Sequence, residues 1–208
     1  MKVSPFAKDM VLLNCIVPVT LLGWDAARGQ LGANPVNFAI RTTGMLSLLF
    51  LILSLAITPA SRITGWSGLA PFRRLFGLMA FFHACLHFLI FFRFDRDGNV
   101  RGTLSEITAR PYLMVGMQSL VLMAPLAATS TNSMIKLLGG KRWKALHRLA
   151  YVAAIAGVIH YYMQVKADVS QPVAFAVVLA VLLGYRVVRH YLKLRTTSRP
   201  LLTVSGPR

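Results

Sequence analysis

The sequence predicts an all-α, polytopic membrane helix bundle of about six transmembrane helices. Three observations lead there. Of 208 residues, 56% are hydrophobic and only 14% are charged, against about 25% charged in a soluble domain. The apolar residues form runs close to the roughly 20 residues needed to cross a hydrocarbon core of about 30 Å. The charged residues collect between those runs. No connecting segment is long enough for a separate soluble domain. The whole chain therefore reads as one transmembrane domain, with a core over about 40–192 and a basic tail over 193–208. A net charge of +17 would suggest nucleic acid in a soluble protein. In a membrane chain, Lys and Arg act instead as topology signals, so membrane lipid, and no nucleic acid, is the expected surrounding.

The first span is expected over 10–26. It contains Asn14 and Pro18 and is short, which suits a kinked or interfacial helix. No small-residue cleavage site follows it, so it reads as a retained span. The second, 40–59, is the most aliphatic, carries no ligand-type side chain, and reads as structural. The third, 75–94, holds His83 and His87 four residues apart, on one helix face. The stretch FDRDGNVRGTLSEITARP follows as the longest polar connection, with a turn at Asp97-Gly98-Asn99; its mixed charge suits a connector or a docking loop. The fourth span is 112–129. The fifth, 146–165, enters through a basic cluster (Lys136, Lys141, Arg142, Lys144 and Arg148) and holds His147 and His160. The sixth is 171–191, and His190 at its end reads as a surface residue. Cys15 and Cys85 lie in apolar runs and read as free thiols. With the N-terminus inside, 16 of the 23 Lys and Arg fall on the inner side and five of the six acids on the outer. That bias places both termini in the cytoplasm.

Ionisable side chains inside a span are costly and mark function. His147 precedes His160 by thirteen residues, and Arg74 precedes His87 by thirteen. If α-helices three and five begin at similar depth, His87 and His160 lie level, and Arg74 and His147 lie level about 20 Å below. Two level imidazoles on neighbouring helices suit the two axial positions of a haem iron in an apolar pocket. Phe81, Phe82, Phe88, Phe91, Tyr161 and Tyr162 are candidate pocket walls. Met117, Met123, Ala153, Ala154, Ala156 and Gly157 would admit a flat ligand. The bland alternative, histidines bonded to carbonyls across helices, competes with this. His147 has three readings: a ligand of a second haem opposite Arg74, a partner of a quinone headgroup or a flavin phosphate beside Arg73, Arg74 and Arg148, or a snorkelling interfacial residue. His83 is a spare ligand, a propionate partner or a packing residue. The chain has no C-x-x-C-H, no G-x-G-x-x-G, no phosphate-binding P-loop and no H-E-x-x-H. NAD(P)H electrons would have to arrive through another protein.

The segments ITARPYLMVG, LAATSTNSM and LGGKRWKALHRLAYVAAIAGVIHYYMQVK closely resemble the MsrQ (YedZ) family, as do LGANP and RRLFGL followed by LH. These are haem-binding inner-membrane subunits of the bacterial periplasmic methionine sulfoxide reductase system, within the ferric reductase-like transmembrane domain superfamily. The similarity runs from about Leu31 to Lys166. It implies b-type haem, one or two, and bound FMN. It also implies electrons from the quinone pool or a cytosolic flavin reductase, passed to a periplasmic molybdopterin subunit, MsrP, that repairs oxidised proteins. The family's haem histidines fall on His87, His147 and His160. Arg74 falls where two-haem relatives carry a further histidine, which leaves the second haem open, and His83 departs from the family pattern. The expectation is a membrane cytochrome b that carries electrons outward, with the sulfoxide chemistry on its partner. The rivals are a stand-alone ferric or cupric reductase using the same haem and, outside redox chemistry, a permease or structural membrane subunit.

Overall fold

In a computed structural model that describes residues 4–197, the chain is helical throughout, and among the described residues there is no strand. Helix α1 spans Pro5–Ala27, α2 Pro35–Thr64, α3 Ala70–Ile90, α4 Val100–Ala109, α5 Pro111–Ala128, α6 Asn132–Leu146, α7 Leu149–Gln164 and α8 Ser170–Thr197. A 3-10 turn leads into α3, and a π-helical turn, Phe91–Asp95, extends it. Five helices are long and apolar enough to cross a membrane, and α7 is a sixth, shorter apolar helix of 16 residues. The expected bundle of six apolar helices is therefore present, in a multi-pass membrane protein.

Helix starts follow capping chemistry. Ser4 and Asn34 accept amide hydrogens from Ala7 and Asn37, and each is followed by a proline at the first helical position, where a missing N–H costs nothing. Helix α2 stops at Gly65, whose φ of +69° only glycine adopts freely. It is the centre of the bundle: half of its apolar window is buried, against 17% or less in the other long spans. Helix α1 is one unbroken helix across Pro18. It packs thinly on α2 and α3, leaving Phe6, Leu21 and Trp24 exposed, as suits a lipid-facing helix.

Two departures from expectation concern the connections. The polar stretch after α3 is not an open loop. The turn falls at Asp97 and Gly98, both at positive φ, but Asn99 then caps helix α4 through the Gly102 amide. Arg96 pairs with Asp95 and Glu106, and Arg110 pairs with Glu106, tying α4 to its flanks. The segment before the fifth span forms α6, broken at Gly139 (φ +74°, ψ 149°). His147 consequently sits in the turn between α6 and α7, not within the fifth span. Helix α8 continues to Thr197, so the start of the basic tail is helical; the remainder, 198–208, lies outside the described residues, as does Lys2.

Arg186, inside α8, has a structural explanation. Pro59 in α2 has no N–H to offer the Leu55 carbonyl one turn earlier. The Arg186 guanidinium donates to that carbonyl at 2.6 Å and packs 5.0 Å from the Tyr151 ring centre. A cation and a proline, each costly alone in a span, satisfy each other.

Candidate functional site

Two antiparallel helix pairs, α2 with α3 and α5 with α7, form the most extensive contacts in the bundle. Each pair carries one histidine toward the same end. The His87 Nδ1 lies 2.8 Å from the Ile40 carbonyl on α2, and the His160 Nδ1 lies 2.7 Å from the Tyr112 carbonyl on α5. A carbonyl only accepts, so Nδ1 holds the hydrogen in both rings. That leaves each Nε2 unprotonated, with its lone pair in the plane of the ring. The two ring centres are 6.1 Å apart with an interplanar angle of 81°.

The separation is compatible with two imidazoles on one metal ion. A transition-metal–imidazole bond is about 2 Å and the ring radius about 1 Å, so two imidazoles on one ion place their centres roughly 6 Å apart. Among the described residues, no three His, Cys, Asp or Glu side chains converge. A bare zinc or copper site, which draws three or four ligands from the protein, is not built here. A haem iron takes four ligands from the porphyrin and two from the protein, and the donor set on α3 and α7 fits that demand.

The geometry around the histidines is duplicated. Ser47 on α2 donates to the Ala80 carbonyl on α3 at 2.9 Å, and Ser119 on α5 donates to the Ala153 carbonyl on α7 at 2.9 Å. Each serine lies seven residues after the carbonyl that holds a histidine, and each alanine seven before that histidine. Gly44 and Gly116 lie between, against the His87 and His160 rings. The sequence signal is a repeat, Gly44-Met45-Leu46-Ser47-Leu48 and Gly116-Met117-Gln118-Ser119-Leu120. The second span has no ligand-type side chain, as expected; what it places against His87 is the Ile40 carbonyl and the bare face of Gly44.

A cavity of about 390 Å³ opens one layer away, between α2, α3, α5, α6 and α7. Arg73, Arg74 and His147 line it together, with Arg62, Trp143 and Ser54. Arg74 donates to Asn132. His147 stacks on Trp143 with ring centres 3.9 Å apart. The Thr129 hydroxyl sits 2.6 Å from the Pro125 carbonyl and 3.1 Å from the His147 Nε2. The carbonyl takes the hydroxyl hydrogen, so His147 donates through Nε2, the opposite tautomer to His87 and His160. Arg148 is exposed at the start of α7 and does not line this cavity.

His83 lines neither site. It is fully buried between Phe50 and Phe82, its Nδ1 bonds to the Met79 carbonyl, and its Nε2 has no partner. An unpaired buried nitrogen costs about 1–3 kcal/mol. His83→Leu is therefore expected to keep full haem absorbance per chain and an equal or higher melting temperature. Loss of the Soret band in that variant would give His83 a cofactor role. Of the aromatic candidates, Phe82 and Tyr162 are exposed on the bundle surface, and Tyr161 bonds to Gln171. Cys15 and Cys85 are free thiols, as expected.

Comparison with known proteins agrees with this architecture. Residues 43–158 match the family described as ferric reductase like transmembrane component, a segment that contains His83, His87 and His147 and ends two residues before His160. The haem-binding subunit MsrQ of protein-methionine-sulfoxide reductase from Herminiimonas arsenicoxydans is 46% identical over 182 residues, covering 86% of this chain and 84% of that protein. The MsrQ of Rhodospirillum rubrum is 46% identical over 178 residues, covering 86% of each. That of Deinococcus radiodurans is 44% identical over 172 residues, covering 83% of this chain and 85% of its own length. Similarity of this depth, over nearly the whole of both partners, shows that the chain belongs to the MsrQ family of ferric reductase-like transmembrane proteins.

Proposed function

We propose that the protein is a membrane b-type cytochrome that relays electrons across the bacterial inner membrane to a periplasmic methionine sulfoxide reductase. The observation that carries this reading is the pair of Nδ1-anchored imidazoles, His87 and His160, 6.1 Å apart in an apolar bundle. Bound haem would supply a one-electron carrier. The chain's own residues do the rest. The Ile40 and Tyr112 carbonyls fix the tautomer and raise the basicity of each ligand, which favours the ferric state. Leu48, Phe50, Ala153, Ala154 and Val158 are buried in the surrounding core, which keeps water from the porphyrin.

Electrons enter at the opposite, basic end. Arg73, Arg74 and His147 line the cavity there and suit an anionic or carbonyl-bearing donor: a quinone headgroup, the phosphate of FMN, or the propionates of a second haem. In this reading His147 and Arg74 serve the inner site and Arg148 interacts with headgroups. Both termini are cytoplasmic, the donor is the quinone pool or a cytosolic flavin reductase, and the acceptor is the molybdopterin subunit MsrP at the outer end. The names of the MsrQ relatives, as haem-binding subunits of a methionine sulfoxide reductase, support the partner.

The rival is a stand-alone ferric or cupric reductase, favoured by the name of the matched family. Deleting the gene for this chain separates the two. Periplasmic methionine sulfoxide repair should fail, return with the wild-type chain and not return with His160→Ala, while ferric reduction is unchanged. Intact repair with lost ferric reduction would establish the rival.

A further inference from the structure

We propose that Gly44 and Gly116 are positioning residues that set the rotation of the two axial imidazoles and hold their planes nearly perpendicular. This rests on the haem assignment above and extends it to two helices that carry no ligand.

A ring bonded to a metal through Nε2 keeps one freedom, rotation about the metal–nitrogen bond. Two contacts remove it in each half of the bundle. The Nδ1–H points at a carbonyl, Ile40 or Tyr112, and the ring lies on the glycine four residues later in the same helix. A Cβ at Gly44 would stand 2.9 Å from the His87 Nδ1 and 3.0 Å from its Cε1. A Cβ at Gly116 would stand 2.7 Å, 2.8 Å and 3.1 Å from the His160 Nδ1, Cε1 and Cγ. Such approaches force a shift. The rings are held by their helices and their hydrogen bonds, so each must turn in its seat. Other helical glycines differ in what they would meet: Gly157 the Leu48 side chain at 3.3 Å, Gly77 the Ser54 hydroxyl at 3.4 Å, Gly102 its own cap Asn99 at 2.9 Å, and Gly23 and Gly184 nothing within 4 Å. At 44 and 116 a side chain would occupy the space that the histidine rings take.

The duplication explains the angle. The pairs α2–α3 and α5–α7 present the same contacts in the same register, so one half is related to the other by a rotation about the bundle axis. That operation turns a ring tilted to one side of the axis into a ring tilted equally to the other. Two identical seats thus open the planes to twice the tilt, giving the observed 81°. Parallel imidazoles donate π density into one iron d orbital, whereas perpendicular ones donate into two. The perpendicular arrangement leaves those orbitals nearly equal in energy. The expected consequences are a ferric low-spin signal at unusually low field and a higher midpoint potential than parallel planes would give.

The test is low-temperature electron paramagnetic resonance and redox titration of the purified, haem-loaded protein as wild type, Gly44→Ala, Gly116→Ala and Gly184→Ala. The expected result is one strongly anisotropic low-field signal in the wild type and in Gly184→Ala. In each of the other two variants it shifts toward an ordinary three-line rhombic spectrum, with a lowered midpoint potential. Retained haem with the wild-type signal in both seat variants would overturn the proposal. Should alanine expel the haem, the wild-type spectrum decides alone: a three-line rhombic signal overturns the perpendicular seats and a low-field signal supports them. Wild-type protein without any Soret band would overturn the haem assignment itself, a failure distinct from that of the seats.

Discussion

Replacing His160 with alanine should strip the purified protein of its low-spin haem spectrum, and replacing His87 should do the same. Each ring supplies a single Nε2 lone pair, its other nitrogen being spent on a carbonyl. No third ligand-type side chain converges among the described residues to take over. His83 cannot substitute, because it is enclosed between Phe50 and Phe82 one turn away on α3. Losing only an outer-shell partner costs about 10–100-fold in affinity for the metal group, so losing a ligand should cost at least that. Soret absorbance per chain, read against wild type in the same detergent, checks it. His147→Ala in the same series should keep the bands of the His87/His160 site, since His147 sits in the inner cavity with its Nε2 turned to Thr129. Full retention of the low-spin spectrum in either the His87 or the His160 variant would remove the ligand assignment.

The second large effect is expected at the inner cavity. Arg73 and Arg74 together with His147 make its lining cationic, and no acid lines it. A charge-assisted hydrogen bond is worth about 1.5–3 kcal/mol, so removing both guanidinium groups should slow electron entry at least about tenfold. The double variant Arg73→Gln with Arg74→Gln should therefore show slower haem reduction by a reduced quinone, or by a flavin reductase with NADH, in stopped flow. Its oxidised and dithionite-reduced spectra should match wild type, because neither arginine touches the His87 or His160 rings. An unchanged entry rate would mean that the donor uses another route.

Much of this architecture is legible in the amino-acid order, and the misses have physical causes. Six apolar runs announce the bundle because each must bury or immerse a continuous hydrophobic length. The thirteen-residue spacings put Arg74 and His147 in one layer, and both do line one cavity. The contact of α2 with the His87 ring was hidden because periodicity and ligand searches look for side chains. What α2 contributes there is the Ile40 carbonyl and the bare face of Gly44. Helix α4 was hidden by its polar composition; Asn99 and the Arg96–Glu106–Arg110 pairs stabilise it without a long apolar stripe. Helix α6 was hidden by Gly139, which breaks it into two short pieces. Because α6 runs on to Leu146 and α7 starts only at Leu149, His147 lies in the turn between them and not in the fifth span. Arg186 read as one more inner cation, since only the fold reveals that Pro59 left a carbonyl waiting for it.

The reduced-minus-oxidised difference spectrum of the purified wild-type protein, after haem-replete expression and with pyridine haemochrome quantitation, tests the central claim most directly. The account predicts at least one b-type haem per chain, low-spin in both oxidation states, as two imidazole ligands require. A protein that folds and inserts but carries no haem, or carries a high-spin haem with an open axial position, would contradict it.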